Sequence, residues 1–277
     1  MISEIKKYCR ELLDSKKVDA IIGVSEEEGQ WMPFLFTESS QLDKLFVDKK
    51  YPLMTTSKPM KENILSYIQR KHPGMKLAIV ARGCDERAIF ELVKRGQVKL
   101  ENLEIIGYAC DRRQAETCTC PTPHPTKNLK FGEKAEGVKE HKLAAEFDKM
   151  SLEEKSRFWH KQFSKCIKCY GCRNACPVCF CKTCLMEAHF YTQPGELPVE
   201  YPTFHFVQRY HHAAQCIECG ECELACPMDI PLRLMSQPLL RQTKELYDYV
   251  PGMDPEQECP LFTIKQERAE EASDELF

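Results

Sequence analysis

Apolar side chains recur at regular intervals through the first seventy residues. Residues 2–16 carry apolar side chains at helical spacing, and Cys9 lies on that stripe, as is typical of a free cysteine packed in a core. Residues 18–24 are predicted to form a buried strand, and residues 33–37 another. A second amphipathic helix is predicted to begin at Pro59. Its apolar face consists of Ile64, Leu65 and Ile68.

The next segment is predicted to be a strand–helix–strand unit. Residues 76–81 (KLAIVA) and 103–108 (LEIIGY) are short apolar runs typical of buried strands. Between them, a tight turn at residues 82–84 precedes a helix that we expect Asp85 to cap and Gly96 to end. Strands joined in this way are parallel, with a right-handed crossover.

Cysteines follow the carboxyl ends of both predicted strands. Cys84 and Cys110 should meet at the edge where open α/β sheets bind ligands. Cys118 and Cys120 lie in a proline-rich loop that can fold back over this edge. We expect the four thiols to hold a 4Fe–4S cluster. The alternatives are that Cys84 or Cys110 packs in the core, and that Cys118 and Cys120 form a zinc or surface feature.

Two cysteine runs of identical spacing dominate the second half of the chain, which places eleven of its seventeen cysteines between residues 166 and 226. The first run consists of Cys166, Cys169, Cys172 and Cys176, followed by Pro177. The second consists of Cys216, Cys219, Cys222 and Cys226, followed by Pro227. This is the spacing of bacterial dicluster ferredoxins, in which the fourth cysteine of each run binds the other cluster.

The repeat therefore predicts two crossed ligand sets. Cluster I takes the first three cysteines of the first run and Cys226, and cluster II takes the first three of the second run and Cys176. Structural zinc is disfavoured because its sites usually present two separated Cys-x-x-Cys pairs. Disulfides are disfavoured because they require an oxidising compartment, and we expect the N-terminus not to be a targeting peptide.

Three further cysteines exceed what two clusters require. Cys179, Cys181 and Cys184 lie among polar residues, where a packed core does not readily explain them. They are candidates for a separate metal site completed by a cysteine of the first domain, or one of them replaces Cys176. The sequence does not decide between these alternatives.

Helical segments are predicted to lead into both runs. Ser151 and Glu154 have the spacing of a capping box for the first helix. Aromatic side chains before each run are expected to shield the clusters from water. These side chains are Phe158, Trp159, Phe163, Phe204, Phe206 and Tyr210. His211 and His212 are not expected to bind iron, because each cluster already has four thiolates.

These patterns predict four regions. Residues 1–125 should form an α/β domain with a small, mostly parallel sheet, and residues 126–160 a connector with a lead-in helix. Residues 161–235 should form an α+β dicluster ferredoxin-like domain. The helical extension and proline-punctuated tail, residues 236–277, should dock onto a partner, with an acidic terminus.

Composition gives no support for nucleic-acid binding or for a membrane span. The net charge of -3 gives no reason to expect nucleic acid as a partner, and no apolar run is long enough to span a membrane. Seventeen cysteines without a predicted export signal favour a cytoplasmic protein with metal-bound thiolates and suggest anaerobic metabolism.

The segment from residue 76 to Cys110 resembles the beta subunits of coenzyme F(420)-reducing hydrogenases and formate dehydrogenases. The resemblance rests on Gly83-Cys84 after one strand and Ile106-Gly107 before Cys110 at the end of the next. It implies a cluster at those cysteines, FAD in the same domain, and electron passage between a dehydrogenase and a deazaflavin or other acceptor. The chain departs from the family in lacking a glycine-rich segment before residues 18–24, and it contains no Gly-x-Gly-x-x-Gly loop.

The leading hypothesis is an electron-transfer subunit of a multi-subunit oxidoreductase. Its partners would be flavin- or metal-bearing subunits of a hydrogenase, formate dehydrogenase or heterodisulfide-reductase-type complex. One alternative is an autonomous FAD-dependent oxidoreductase of a deazaflavin or nicotinamide. The other is a scaffold whose clusters are purely structural.

Overall fold

The structure is a computed structural model, and it describes residues 1–47, 53–54, 62–181, 184–190 and 192–261. Its strands are β1 (Ala20–Glu27), β2 (Gln30–Phe36), β3 (Leu45–Phe46), β4 (Leu77–Ala81), β5 (Leu103–Tyr108) and β6 (Leu129–Phe131). The helices of the first half are α1 (Ile2–Asp14), α2 (Ile64–Lys71), α3 (Gly83–Val93) and α4 (Arg112–Cys118). Those of the second half are α5 (Ala144–Lys149), α6 (Leu152–Phe163), α7 (Gly171–Asn174), α8 (Thr203–Tyr210), α9 (Glu221–Leu224) and α10 (Leu232–Tyr247).

The six strands form one mostly parallel sheet in the order β2-β1-β4-β5-β6, with β3 paired antiparallel to β1. Strands β1, β4, β5 and β6 run parallel, and β2 closes one edge as the antiparallel arm of a hairpin. In the β4–β5 ladder Leu77 pairs with Leu103 and Ala81 with Gly107. The predicted strand–helix–strand unit is therefore confirmed, and it brings the residues after β4 and β5 to one edge.

Alternate side chains of the central strands pack against different helices. Ile21 and Val80 lie in a core with α1, where Cys9 is fully buried as predicted. Ile22 and Ile79 lie in a second core with α2 and α3. This core also includes Val178 and Ile217 of the cysteine-rich region. The two halves of the molecule therefore share a hydrophobic core.

Two helix starts differ from the prediction. Helix α3 begins at Gly83, because Arg82 occupies the N-cap and the Asp85 carboxylate accepts a hydrogen bond from the Arg82 backbone N–H at 3.0 Å. Asp85 is thus the third helical residue and not the cap. Helix α2 is capped by Asn63, which accepts from the Ser66 N–H at 2.9 Å, and the predicted start at Pro59 lies outside the described residues.

The stretch after residue 125 contributes to the fold more than a connector would. It supplies β6, which pairs with β5 as the outermost strand of the sheet. It also supplies α5, which packs in a small aromatic core around Phe147. The capping box at Ser151 is confirmed, and it begins α6. Within the described residues of 161–235 the chain forms helices and turns but no strand, so the predicted α+β character of this region is wrong. The cysteine runs wrap as loops, each containing a single helical turn between its second and fourth cysteines, and leave no extended segment to pair.

The tail folds back onto its own chain. The fully buried carboxylate of Glu91 on α3 accepts hydrogen bonds from the Tyr249 hydroxyl at 2.9 Å and the Gly252 N–H at 2.7 Å. It also forms ion pairs with Lys94 at 3.1 Å and Arg95 at 2.5 Å. The part of the tail before residue 262 therefore docks intramolecularly, and the predicted acidic terminus lies outside the described residues.

Replacing Glu91 with Gln should release this segment of the tail. Two buried cations would lose their counter-charge, and breaking a buried ion pair costs roughly 3–5 kcal/mol. We expect a matching fall in the free energy of unfolding and new proteolytic cleavage between residues 248 and 260. The matched control is Glu116→Gln, which removes an exposed ion pair with Arg112 and should change stability by less than about 1 kcal/mol. A Glu91→Gln protein with unchanged cleavage would show that the network does not hold the tail.

Candidate metal centres

Four cysteines of the α/β region line one small cavity at the carboxyl edge of the sheet. These are Cys84, Cys110, Cys118 and Cys120. Cys84 lies in the first turn of α3 directly after β4, and Cys110 follows β5. Cys118 ends α4, and a left-handed Thr119 turns the chain so that Cys120 points to the same place. The structure thus brings together all four residues proposed for a third cluster.

A proline-rich loop closes over this cavity. The Cys110 N–H donates to the Pro123 carbonyl at 2.8 Å, and Gly83 lies directly beneath the backbone of His124. A Cβ atom at Gly83 would lie 2.3 Å from the His124 oxygen, so only glycine permits this approach. The buried Glu86 carboxylate also accepts the backbone N–H of Thr126 at 2.6 Å and fixes the end of the loop. The predicted fold-back of the loop over the sheet edge is therefore observed.

The thiols at this edge are desolvated. Burial raises the pKa of Cys84 far above its ordinary value and that of Cys110 to about 12. Arg82 lies beside both and is paired with Asp85 at 2.8 Å. The Cys120 sulfur accepts from the Arg87 guanidinium at 3.4 Å. Metal binding here must therefore displace thiol protons.

A second cavity brings together the four residues predicted for cluster I. Cys166, Cys169, Cys172 and Cys226 line it. Cys226 lies after α9, and Gly171 at the start of α7 approaches the Ala225 carbonyl so closely that a Cβ would lie 2.8 Å from it. His205 stacks on Phe163 with ring centroids 3.9 Å apart and lines the same cavity. The arrangement follows the crossing of the two cysteine runs.

The residues predicted for cluster II also lie close to one another. Burial, followed by the charges of neighbours that include Cys179 and Cys216, raises the pKa of Cys176. Burial, and after it the nearby Cys176, raises the pKa of Cys219. Burial, and after it Cys222, raises the pKa of Cys216 to about 11. Cys176 therefore lies among the thiols of the second run. Cys219 in addition lines the cavity of the third set, so the two sites adjoin.

Helix α8 contacts cysteines predicted for both clusters of the dicluster domain. Gln208 Nε2 donates to the Cys172 sulfur at 3.0 Å, and His212 Nε2 lies 3.4 Å from the Cys176 sulfur. Between them, Arg209 Nη1 donates to the Cys222 sulfur at 3.7 Å. Burial lowers the pKa of His212 to about 3, so its ring is neutral. Sequence reasoning missed the roles of Gln208 and Arg209, although their i, i+1, i+4 spacing places them on one face with His212.

The predicted aromatic shield is only partly present. Phe163 and Phe204 are buried around the cluster I cavity, and Trp159 stacks on Phe163. Phe206 and Tyr210, however, are 57% and 67% exposed. They occupy the outer face of α8, because its inner face is taken by the polar residues that contact the cysteines.

The three additional cysteines lie together beside cluster II. Burial, followed by the neighbouring Cys181 and Cys184, raises the pKa of Cys179 to about 11. Hydrogen bonds to Cys184 and Glu187 outweigh burial and raise the pKa of Arg173. Cys176 lies close to Cys179 as well as to Cys216 and Cys219, and the replacement of Cys176 by one of the three stays a hypothesis.

Residues 162–230 match the family described as the 4Fe-4S dicluster domain. The chain contains a 4Fe–4S dicluster domain. The chain is also 35% identical over 176 residues to the F420-dependent formate dehydrogenase subunit beta of Methanocaldococcus jannaschii. It is 35% identical over 166 residues to the F420-dependent formate dehydrogenase 1 subunit beta of Methanococcus maripaludis. The matched segments cover 62% and 59% of this chain but only 43% and 40% of those relatives, so the chain spans less than half of their length.

The residues around the dicluster domain fit 4Fe–4S cubes. The four cysteines predicted for cluster I line one cavity together. Arg209 also presents Nε and Nη2 donors that are buried without a protein partner, as expected if they face cluster sulfides.

Among the described residues, no helix has the length and apolar character needed to cross a membrane.

Proposed function

We propose that this chain is an iron–sulfur electron-transfer subunit of a multi-subunit oxidoreductase. The observation that carries the proposal is the contiguity of the three cysteine sets. Cys219 of cluster II lines the cavity of the third set, and α8 contacts ligands of clusters I and II. A series of adjoining cluster sites is what a one-electron relay requires.

In this proposal each site has four thiolate ligands. Cluster I is held by Cys166, Cys169, Cys172 and Cys226. Cluster II is held by Cys176, Cys216, Cys219 and Cys222. A third cluster is held by Cys84, Cys110, Cys118 and Cys120. Such cubes supply one-electron redox chemistry whose potential depends on hydrogen bonds to sulfur and on burial.

The chain's own residues set the environment of this relay. Gln208 and Arg209 donate hydrogen bonds to cysteine sulfurs, which favours the reduced form of an adjoining cluster. Phe163 and Phe204 exclude water from cluster I. The exposed ligand Cys169 gives that cluster an approach from solvent, so cluster I is the proposed docking end for a redox partner.

The partners are proposed from the resemblance. The relatives are named as subunits of formate dehydrogenases, and we propose that this chain assembles in the cytoplasm with a dehydrogenase, hydrogenase or heterodisulfide-reductase-type subunit that bears flavin or metal. The extra thiols Cys179, Cys181 and Cys184 lie beside cluster II and are proposed as a further metal-binding group.

Cofactor analysis of anaerobically purified protein tests the relay. We expect about twelve irons and twelve acid-labile sulfides per chain, little zinc and no flavin. Dithionite should bleach the visible absorption of all clusters, and a dye of higher potential should restore it. If the clusters are neither reduced by dithionite nor reoxidised by the dye, they are structural and the relay is overturned.

A second candidate function is an autonomous flavoenzyme. A cavity of about 310 Å³ lies next to Cys216, and the cations of its lining outnumber the carboxylates of Glu140 and Glu218, a setting that suits an anionic redox ligand. Its cations are Arg87, Lys139, Arg241 and Lys244. About eight irons and one FAD per chain in the same analysis would favour this function.

A further inference from the structure

Arg209 is a buried cation without a counter-ion at the boundary between clusters I and II. Its side chain is on α8, the residue is 3% exposed, and Nη1 lies 3.7 Å from the Cys222 sulfur. Nε and Nη2 are buried without a protein acceptor. Burial of an unpaired charge is costly, so a compensating negative group is expected nearby.

The neighbours of Arg209 locate it between the two ligand sets. Gln208, the preceding residue, touches Cys172 of cluster I at 3.0 Å. His212, one turn later, touches Cys176 of cluster II at 3.4 Å. Arg209 therefore lies on α8 between two residues that contact cysteines of the two sets.

Arg87 occupies the corresponding position at the second boundary. It is 2% exposed, and Nη2 donates to the Cys120 sulfur at 3.4 Å while Nη1 donates to the Thr122 carbonyl at 2.8 Å. Cys120 belongs to the third set, whose cavity is also lined by Cys219 of cluster II. Arg87 therefore lies where these two sites adjoin.

Other buried arginines near the sites have carboxylate partners. Arg82 is paired with Asp85 at 2.8 Å, and Arg233 lies 3.9 Å from Glu218. Within the described residues, by contrast, neither Arg87 nor Arg209 forms an ion pair with a carboxylate. Their charge is thus available to the thiolates and to whatever they bind.

We propose that Arg209 and Arg87 each hold one permanent positive charge at a boundary between two cluster sites. Each charge raises the reduction potentials of the clusters on both sides of it. The inference rests on the proposed relay function. Reduction adds one electron to a cube, and no bond forms or breaks. A cation fixed between two cubes stabilises the added negative charge on either. Arginine keeps its proton throughout, so the effect does not vary with pH.

The test uses the full chain with its clusters and measures midpoint potentials by EPR-monitored redox titration. In Arg209→Gln, we expect the midpoint potentials of clusters I and II to fall by at least ~59 mV, which is a tenfold change in the equilibrium constant of a one-electron couple. The third cluster should hardly change. Arg209→Lys should restore most of the shift. Arg10→Gln, which removes an exposed arginine paired with Asp43, is the control.

Arg87→Gln gives the complementary pattern. Cluster II and the third cluster should shift to lower potential while cluster I stays constant. Unchanged potentials in an iron-replete uncharged variant would overturn the inference. Loss of iron from every uncharged variant, including Arg209→Met, would also overturn it, because the arginines would then act in cluster assembly. Irreducible clusters in the unsubstituted protein would instead overturn the relay itself.

Discussion

Replacing Cys226 with Ser should remove the cluster bound by the first cysteine run, which begins sixty positions earlier. The reason is geometric: Cys226 lines one cavity with Cys166, Cys169 and Cys172, and the chain after α9 carries it away from its own run. We expect the loss of about four irons per chain. Iron analysis with EPR of the reduced protein measures this loss.

Double substitutions identify which cluster is lost. Because residues that hold one cluster act as a unit, adding Cys169→Ser to Cys226→Ser should remove no further iron. Adding Cys219→Ser should remove about four more. Cys9→Ser is the matched control, since this buried thiol lies in the α1 core and its replacement should leave the iron content unchanged. If Cys219→Ser rather than Cys169→Ser proves redundant with Cys226→Ser, the crossing of the ligands is wrong.

The grouping of the cysteines within each run was accessible to sequence reasoning because its geometry is local. Spacings of two and three residues between thiols determine a loop and one helical turn, and the repeat shows that the pattern occurs twice. The edge cysteines were predictable for a related reason. Parallel strands bring Cys84 and Cys110 together whatever the details of packing.

The polar surroundings of the proposed cluster sites were not predictable in this way. The segment 204–212 is rich in aromatic residues, and its sequence alone does not show that Arg209 faces inward while Phe206 and Tyr210 face solvent. That choice depends on α8 packing against thiols from both runs. The docking of Tyr249 on Glu91 is likewise a contact across 158 residues, and no local pattern encodes it.

Replacing Cys84 with Ser should remove the third cluster and leave the dicluster domain loaded. Cys84 lines the sheet-edge cavity with Cys110, Cys118 and Cys120, and its loss leaves three thiolates for a site that needs four. We expect about four fewer irons per chain, with unchanged EPR signals from clusters I and II. The protein should remain folded, since serine has the shape of cysteine and is slightly smaller.

The same double-substitution logic separates a cluster from packed thiols. Cys84→Ser combined with Cys110→Ser should lose no more iron than Cys84→Ser alone, whereas Cys84→Ser with Cys226→Ser should lose about eight irons. A Cys84→Ser protein with full iron content would mean that the edge cysteines only pack. The adjoining position of Cys219 makes the outcome consequential. With a third cluster the relay extends from the exposed Cys169 to the sheet edge, and without one it ends at cluster II.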